Sequence, residues 1–122
     1  MKRTVMVVDD SSSMRTLMRM ALERSGYDVL ETADGADAID CLDGRDLHLV
    51  VCDMTMPRVN GLDFLRYLRV HPRYRRTPLV MLTTENRAEI KQLGRNSGAQ
   101  AWITKPCPPH LLVETVDRLC PQ

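Results

Sequence analysis

The 122-residue sequence lacks the marks of several function classes. No stretch approaches the roughly 20 apolar residues of a membrane span. The apolar run at residues 5–8, after Lys2-Arg3, stops at Asp9 and is too short for the core of a signal peptide. Charge of one sign is missing too. Seventeen basic residues against sixteen acidic ones leave a net charge of +1, which argues against bulk electrostatic binding to nucleic acid or to an anionic membrane. The four cysteines (Cys41, Cys52, Cys107, Cys120) form no CxxC and have no histidine at ligand spacing, so no zinc site is expected. Free thiols without a leader segment fit a reducing cytoplasm. There is no linker, internal repeat or low-complexity tract. A chain of this length reads as one domain that buries about two-thirds of its unfolded surface and needs no disulfide or metal to fold.

What is present is an alternation of strand-like and helix-like segments. Residues 4–8, 28–32, 47–52, 79–82 and 101–103 read as strands, and the nearly continuous apolar run 47–52 suits a central strand covered on both faces. Met14, Leu17, Met18, Ala21 and Leu22 recur at helical spacing, with Ser11 or Ser12 as cap and Gly26 as stop. Ala36, Ile39 and Leu42 suggest a short helix ending before Gly44. Leu62, Leu65 and Leu68 mark a third helix, ended by His71-Pro72. Residues 86–97 form the weakest helical pattern, with Gly94 inside it. Pro108 and Pro109 open a last helix carrying Leu111, Leu112, Val116 and Leu119. Five β/α pairs predict a doubly wound parallel α/β sheet in three layers. In the strand order 2-1-3-4-5 the topological switch lies between strands 1 and 3.

The polar residues that close these strands carry the chemistry. Asp9-Asp10, Asp53, Thr83 and Lys105 each follow an apolar run, and ligands of open α/β sheets bind beyond the carboxyl ends of the strands. Three carboxylates, a hydroxyl and an ammonium therefore converge on one pocket. Two like charges about 4 Å apart repel by roughly 4 kcal/mol at an effective dielectric near 20, so such a cluster calls for a cation. Oxygen-only ligands select a hard ion, and few protein ligands plus water and phosphate suit Mg²⁺. The ion would neutralise phosphoryl oxygens and permit in-line attack by a carboxylate. Lys105 supplies a point charge for the phosphate and Thr83 a hydrogen bond.

Other features read as structural. Arg66, Arg69, Arg73, Arg75 and Arg76 interleave with Tyr67 and Tyr74, but in a near-neutral chain a solvated helix end is favoured over a nucleic-acid patch. His48, His71 and His110 are scattered and pair with no nucleophile. Cys52 precedes Asp53 on a strand, so its thiol should face the opposite side of the sheet and pack in the core.

The ordered set Val7-Val8-Asp9-Asp10, Asp53-Met54-Thr55-Met56-Pro57 with Asn60-Gly61, Leu82-Thr83 and Lys105-Pro106 resembles the receiver domain of two-component response regulators over essentially the whole chain. The resemblance implies a flavodoxin-like (βα)5 fold with Asp53 as phosphoacceptor, taking its phosphoryl group from a histidine kinase or phosphotransfer protein. It implies Mg²⁺, or Mn²⁺ in its place, on Asp10, Asp53 and the backbone carbonyl of Thr55, with Asp9 bound directly or through water. Lys105 and Thr83 would hold the phosphoryl oxygens. In the family's switch the threonine moves toward the phosphate and an aromatic side chain three residues before the lysine, here Trp102, fills the space. Thr55 and Glu85 stand where relatives tune phosphate lifetime, and the bond matching Lys105-Pro106 is often cis. Two positions depart from the pattern. Trp102 replaces the usual Tyr or Phe, and a larger indole turns inward less readily. Thr84 stands where Ala or Gly commonly follows, and its bulk would restrict access to the acyl phosphate.

Ser11-Ser12-Ser13-Met14-Arg15 looks like stand-alone, CheY-like chemotaxis receivers. No output domain is expected. The expectation is a cytoplasmic single-domain regulator, a monomer or a weak dimer on phosphorylation, that signals in chemotaxis or motility by binding a protein target. The binding face would be the fourth helix, fifth strand and fifth helix. A phosphorelay intermediate or a receiver of another pathway is the alternative. Receivers catalyse their own phosphorylation and hydrolysis but turn over no independent substrate, so the chain is not expected to be an enzyme. A Mg²⁺-dependent phosphohydrolase of the haloacid-dehalogenase type fits less well, because it resembles Asp-x-Asp after the first strand and needs an inserted cap. A pseudo-receiver would lack the acidic pair, the acceptor or the lysine, and all are here.

Overall fold

The computed structural model describes residues 2–56, 58–84, 92, 96 and 98–121. Its elements are β1 (Thr4–Val8), α1 (Ser12–Arg24), β2 (Asp28–Thr32), α2 (Gly35–Asp40), β3 (Leu49–Asp53), α3 (Gly61–Val70), β4 (Leu79–Thr83), β5 (Ala101–Thr104) and α4 (Pro109–Leu119). The five strands are parallel throughout and ordered β2-β1-β3-β4-β5. This is the flavodoxin-like, doubly wound sheet that the alternating pattern predicts. Of the helix expected over 86–97, Gln92 and Asn96 are described and are helical; the remainder lies outside the described residues.

Two apolar layers cover the sheet. Side chains alternate along each strand, so Met6, Val8, Val50, Cys52, Leu79 and Met81 meet α2 and α3, packing with Ala38, Phe64, Leu65 and Leu68. Val5, Val7, Leu49, Val51, Val80 and Leu82 meet α1 and α4, packing with Met18, Leu22, Leu112 and Val116. Every residue of β3 and β4 is buried, as a central parallel strand requires. Tyr27 closes the second layer: its hydroxyl donates to Asp117 and to the Cys120 carbonyl, and burial pushes its pKa up.

The boundaries differ from the sequence reading in small, explicable ways. β3 begins at Leu49 rather than residue 47, because His48 makes the first link itself. Its Nδ1 accepts from the Thr4 amide at 2.9 Å and its amide donates to the Thr4 carbonyl at 2.9 Å. α2 stops at Asp40, and Leu42 packs from the turn beyond it. β3, β4 and β5 each run one residue further, to Asp53, Thr83 and Thr104.

Three helices start at the carboxyl edge of the sheet with side-chain caps. Ser11 caps α1, Asp34 caps α2 and Asn60 caps α3, each accepting the amide three residues on, from Met14, Asp37 and Asp63. Gly61 opens α3 directly against the end of β3. A Cβ there would lie 2.6 Å from the Asp53 carbonyl oxygen and 2.8 Å from Met54 Cα. Gly61→Ala should therefore lower stability by about 1–3 kcal/mol, read as a shifted midpoint at unchanged slope in urea unfolding.

Candidate functional site

β1 and β3 are neighbours, and their ends bring Asp9, Asp10 and Asp53 together. One carboxylate oxygen from each lies within 4.8 Å of the other two. Asp9 is wholly buried, Asp53 is 6% exposed and Asp10 faces solvent. The β1–α1 turn is held from both sides. The Ser11 amide donates to Asp9 Oδ1 at 2.9 Å, and Arg15 Nη1 donates to the Asp9 carbonyl at 2.5 Å.

Lys105 enters from β5. Its amide donates to the Thr83 carbonyl at 2.8 Å, which carries the β4–β5 ladder one step past the strand end. Its Nζ then stands 3.2 Å from Asp9 Oδ2 and 3.4 Å from Asp53 Oδ1. Among the described residues it is the cation that ion-pairs with these carboxylates. Burial pushes the Asp53 carboxyl above its ordinary pKa; Lys105 offsets part of that rise and the Asp9 charge adds to it. Burial works against the Lys105 ammonium, but Asp53 and Asp9 outweigh it and raise the lysine's pKa. Three carboxylates against one ammonium leave about two negative charges in a pocket of oxygen ligands. That residual charge and donor set fit a hard divalent cation such as Mg²⁺, with Asp9, Asp10 and Asp53 as the residues able to hold it.

The remaining expected residues surround this cluster. Thr83 is buried at the end of β4, and Trp102 pairs with Met81 on the same strand ladder. Trp102 is half-buried against the α2–α3 layer, and its indole N–H is buried with no hydrogen-bond partner. Thr55 is exposed beyond β3, its amide 3.4 Å from Asp53 Oδ1. Thr84 is exposed, and Glu85 lies outside the described residues. The Lys105-Pro106 bond is cis.

Sequence reasoning missed two features. A cavity of about 460 Å³ opens beside Lys105 between α1 and α4, lined by Met14, Leu17, Met18, Thr84, Cys107 and Leu112 among others. The helical spacing of Met14 and Leu17 suggests core, yet Leu17 is half exposed there. Arg58, in the β3–α3 loop, makes a paired contact with Asp34 that no local motif announces. The residues read as structural behave so. Arg66 pairs with Asp63, Arg73 with Asp46, and Arg69 donates to the carbonyls of Thr77 and Gly98. Cys52 packs on the α2–α3 side, where burial raises its pKa.

Asp53→Asn removes one of three mutually repelling carboxylates. With the folded pKa above the unfolded one, ionised Asp53 opposes folding at neutral pH. That opposition disappears as pH falls through the folded value toward the ordinary carboxylate range. The variant should exceed the wild type in stability by about 1–2 kcal/mol near neutral pH without divalent cation. The difference should close toward about pH 4 in parallel urea melts.

Comparison with known proteins agrees with this geometry. The response regulator receiver domain family matches residues 5–117. The chain is 36% identical over 115 residues to chemotaxis protein CheY1 of Helicobacter pylori, covering 93% of each. It is 35% identical to the chemotaxis protein CheY homolog of Campylobacter jejuni, covering 93% of this chain and 88% of that one. The solved structure of chemotaxis protein CheY4 of Vibrio cholerae superposes with a TM-score of 0.92 at 35% identity, over 98% of this chain and 99% of that one. Among the described residues no helix is long and apolar enough to cross a membrane. The acidic cluster braced by one lysine at the switch point of a 2-1-3-4-5 parallel sheet thus agrees with the family match over residues 5–117: this chain belongs to the response regulator receiver domain family.

Proposed function

We propose that this receiver accepts a phosphoryl group on Asp53 from the phosphohistidine of a histidine kinase or phosphotransfer protein, and passes the signal on by binding a protein target. One observation carries the reading: the Lys105 ammonium touches both Asp9 and Asp53 while Asp10 stands beside them. A structural ion pair needs one carboxylate; two on one ammonium with a third beside them suit a site that receives a cation and an anion together.

An Asp53 carboxylate oxygen attacks phosphorus and the new O–P bond forms as the P–N bond to the donor imidazole breaks; the imidazole, already protonated on its other ring nitrogen, takes the electron pair and leaves neutral. Mg²⁺, held by Asp9, Asp10, Asp53 and the Thr55 carbonyl, would neutralise charge on the phosphoryl oxygens. Lys105 exchanges its contact with Asp53 Oδ1 for the incoming anion without leaving the pocket, because Asp9 keeps it there. Thr83 supplies a hydroxyl to the phosphoryl group from β4. Hydrolysis later returns Asp53 and inorganic phosphate, so the chain catalyses a reaction on itself alone. Thr55 borders the acceptor and, with Glu85, stands where relatives tune phosphate lifetime, and Thr84 narrows access beside Lys105.

Trp102 shares a sheet face with Thr83, since both alternate with residues of the other face. Its indole N–H has no hydrogen-bond partner that a change of rotamer would break, so Trp102 is the aromatic we propose responds to a displaced Thr83. The region of residues 86–97, β5 and α4 is the proposed output face. The chemotaxis names of the relatives support a role in motility control, exercised on this reading in the cytoplasm.

Incubation with acetyl phosphate and Mg²⁺ should add one phosphoryl group by intact mass. The adduct should be absent without divalent cation and in Asp53→Ala. Beryllofluoride should change the fluorescence of Trp102, the one tryptophan of the chain, in the wild type and not in that variant. An adduct that survives in Asp53→Ala would move the acceptor elsewhere.

A further inference from the structure

We infer that Arg58 is a positioning residue for the metal side of this site: it clamps the loop between β3 and α3 onto the first turn of α2 and so sets how tightly the chain holds Mg²⁺. The inference deepens the proposed function and rests on it. The Arg58 guanidinium donates from Nε to Asp34 Oδ2 at 2.7 Å and from Nη2 to Asp34 Oδ1 at 3.0 Å, with a further bond from Nη2 to Asp37 Oδ1 at 2.9 Å. A planar fork on a carboxylate fixes direction as well as distance, which a lysine cannot reproduce.

Surface ion pairs usually add little, because both side chains must be ordered from solution. Here one partner is already ordered. Asp34 is 8% exposed and caps α2 by accepting the Asp37 amide at 2.9 Å. Arg58, helped by that amide, holds the Asp34 carboxyl below its ordinary pKa. Arg58 therefore docks on a fixed point rather than on a moving one.

A second contact presses the loop against the same turn. A Cβ on Gly35 would lie 2.5 Å from the Val59 carbonyl oxygen and 2.6 Å from Val59 Cβ, so the loop backbone sits where any side chain on α2's first residue would go. On the other side the loop is tied to the sheet. The Met54 amide donates to the Leu82 carbonyl at 2.9 Å, and the Gly61 amide donates to the Met54 carbonyl at 2.8 Å. Thr55 lies between these anchors, exposed, its amide 3.4 Å from Asp53 Oδ1. A backbone carbonyl can serve as a metal ligand at low entropic penalty only if the loop bearing it is held before the ion arrives. Arg58 and Val59 hold the far side, where no strand does.

The test is a Mg²⁺ titration of the full chain, followed by Trp102 fluorescence and by calorimetry, for the wild type, Arg58→Gln, Arg58→Lys and Asp37→Asn. Asp34 is left intact because it caps a helix. Arg58→Gln should weaken Mg²⁺ binding about three- to tenfold. Arg58→Lys should recover part of the loss, and Asp37→Asn should show a smaller one. A merely stabilising surface pair would lower the urea midpoint and leave Mg²⁺ affinity within about twofold across the series; that result overturns the inference. Should Arg58→Gln fail to fold, the lysine and Asp37 variants make the same comparison. A wild type that binds no Mg²⁺ overturns the reading of the acidic pocket, and the clamp with it.

Discussion

Everything at this end of the molecule depends on one ammonium group standing between two buried carboxylates. Asp9 and Asp53 approach because β1 and β3 pair, and no rearrangement short of breaking the sheet separates them. The lysine that reconciles them comes from β5, two strands from β3 across β4. Adjacent strands lie about 4.8 Å apart, so the side chain must span nearly 10 Å of sheet edge. A long, flexible stem with a compact charge can do this, and the main-chain bond from Lys105 to Thr83 fixes where the stem begins. The 2-1-3-4-5 order is thus part of the electrostatics: exchanging β4 and β5 would give the lysine a different origin.

The site stores repulsion in a rigid frame and leaves adjustment to its rim. Asp9, Asp53, Thr83 and Lys105 sit on strands, or one residue beyond them, with buried apolar neighbours on both faces. Asp10, Thr55 and Thr84 are exposed on the loops between. Strand ends hold geometry within tenths of an ångström because the ladder and both helical layers resist motion. Loops shift at far lower free energy, so the rim can adjust while the strand ends keep their geometry.

Much of this was legible in the sequence because it rests on short-range pattern. Apolar runs closed by Asp, Thr or Lys gave four of the five strands, and with them the convergence of the site. Ser11 was readable as a cap because a helical repeat follows at once. Asp34 and Asn60 cap just as well, but the repeats after them are short, and an isolated Asp or Asn beside a glycine reads equally as a turn. The start of β3 was hidden because His48 bonds to Thr4, a partner 44 residues away. Arg58 was hidden for the same reason: its carboxylate lies 24 residues earlier. The cavity beside Lys105 escaped because helical spacing reports which face is apolar and not how well the neighbouring helix fills it.

The division of the sheet into two layers has a consequence for how a signal leaves. On β5, Ala101 and Ile103 belong to the α1–α4 layer and Trp102 to the α2–α3 layer. A tug on the strand's end is heard on both sides at once, in different languages. One side hears it as a change in an apolar cavity, the other as a change around a single indole. The strand is common ground: any displacement of it must be accommodated on both flanks of the sheet together.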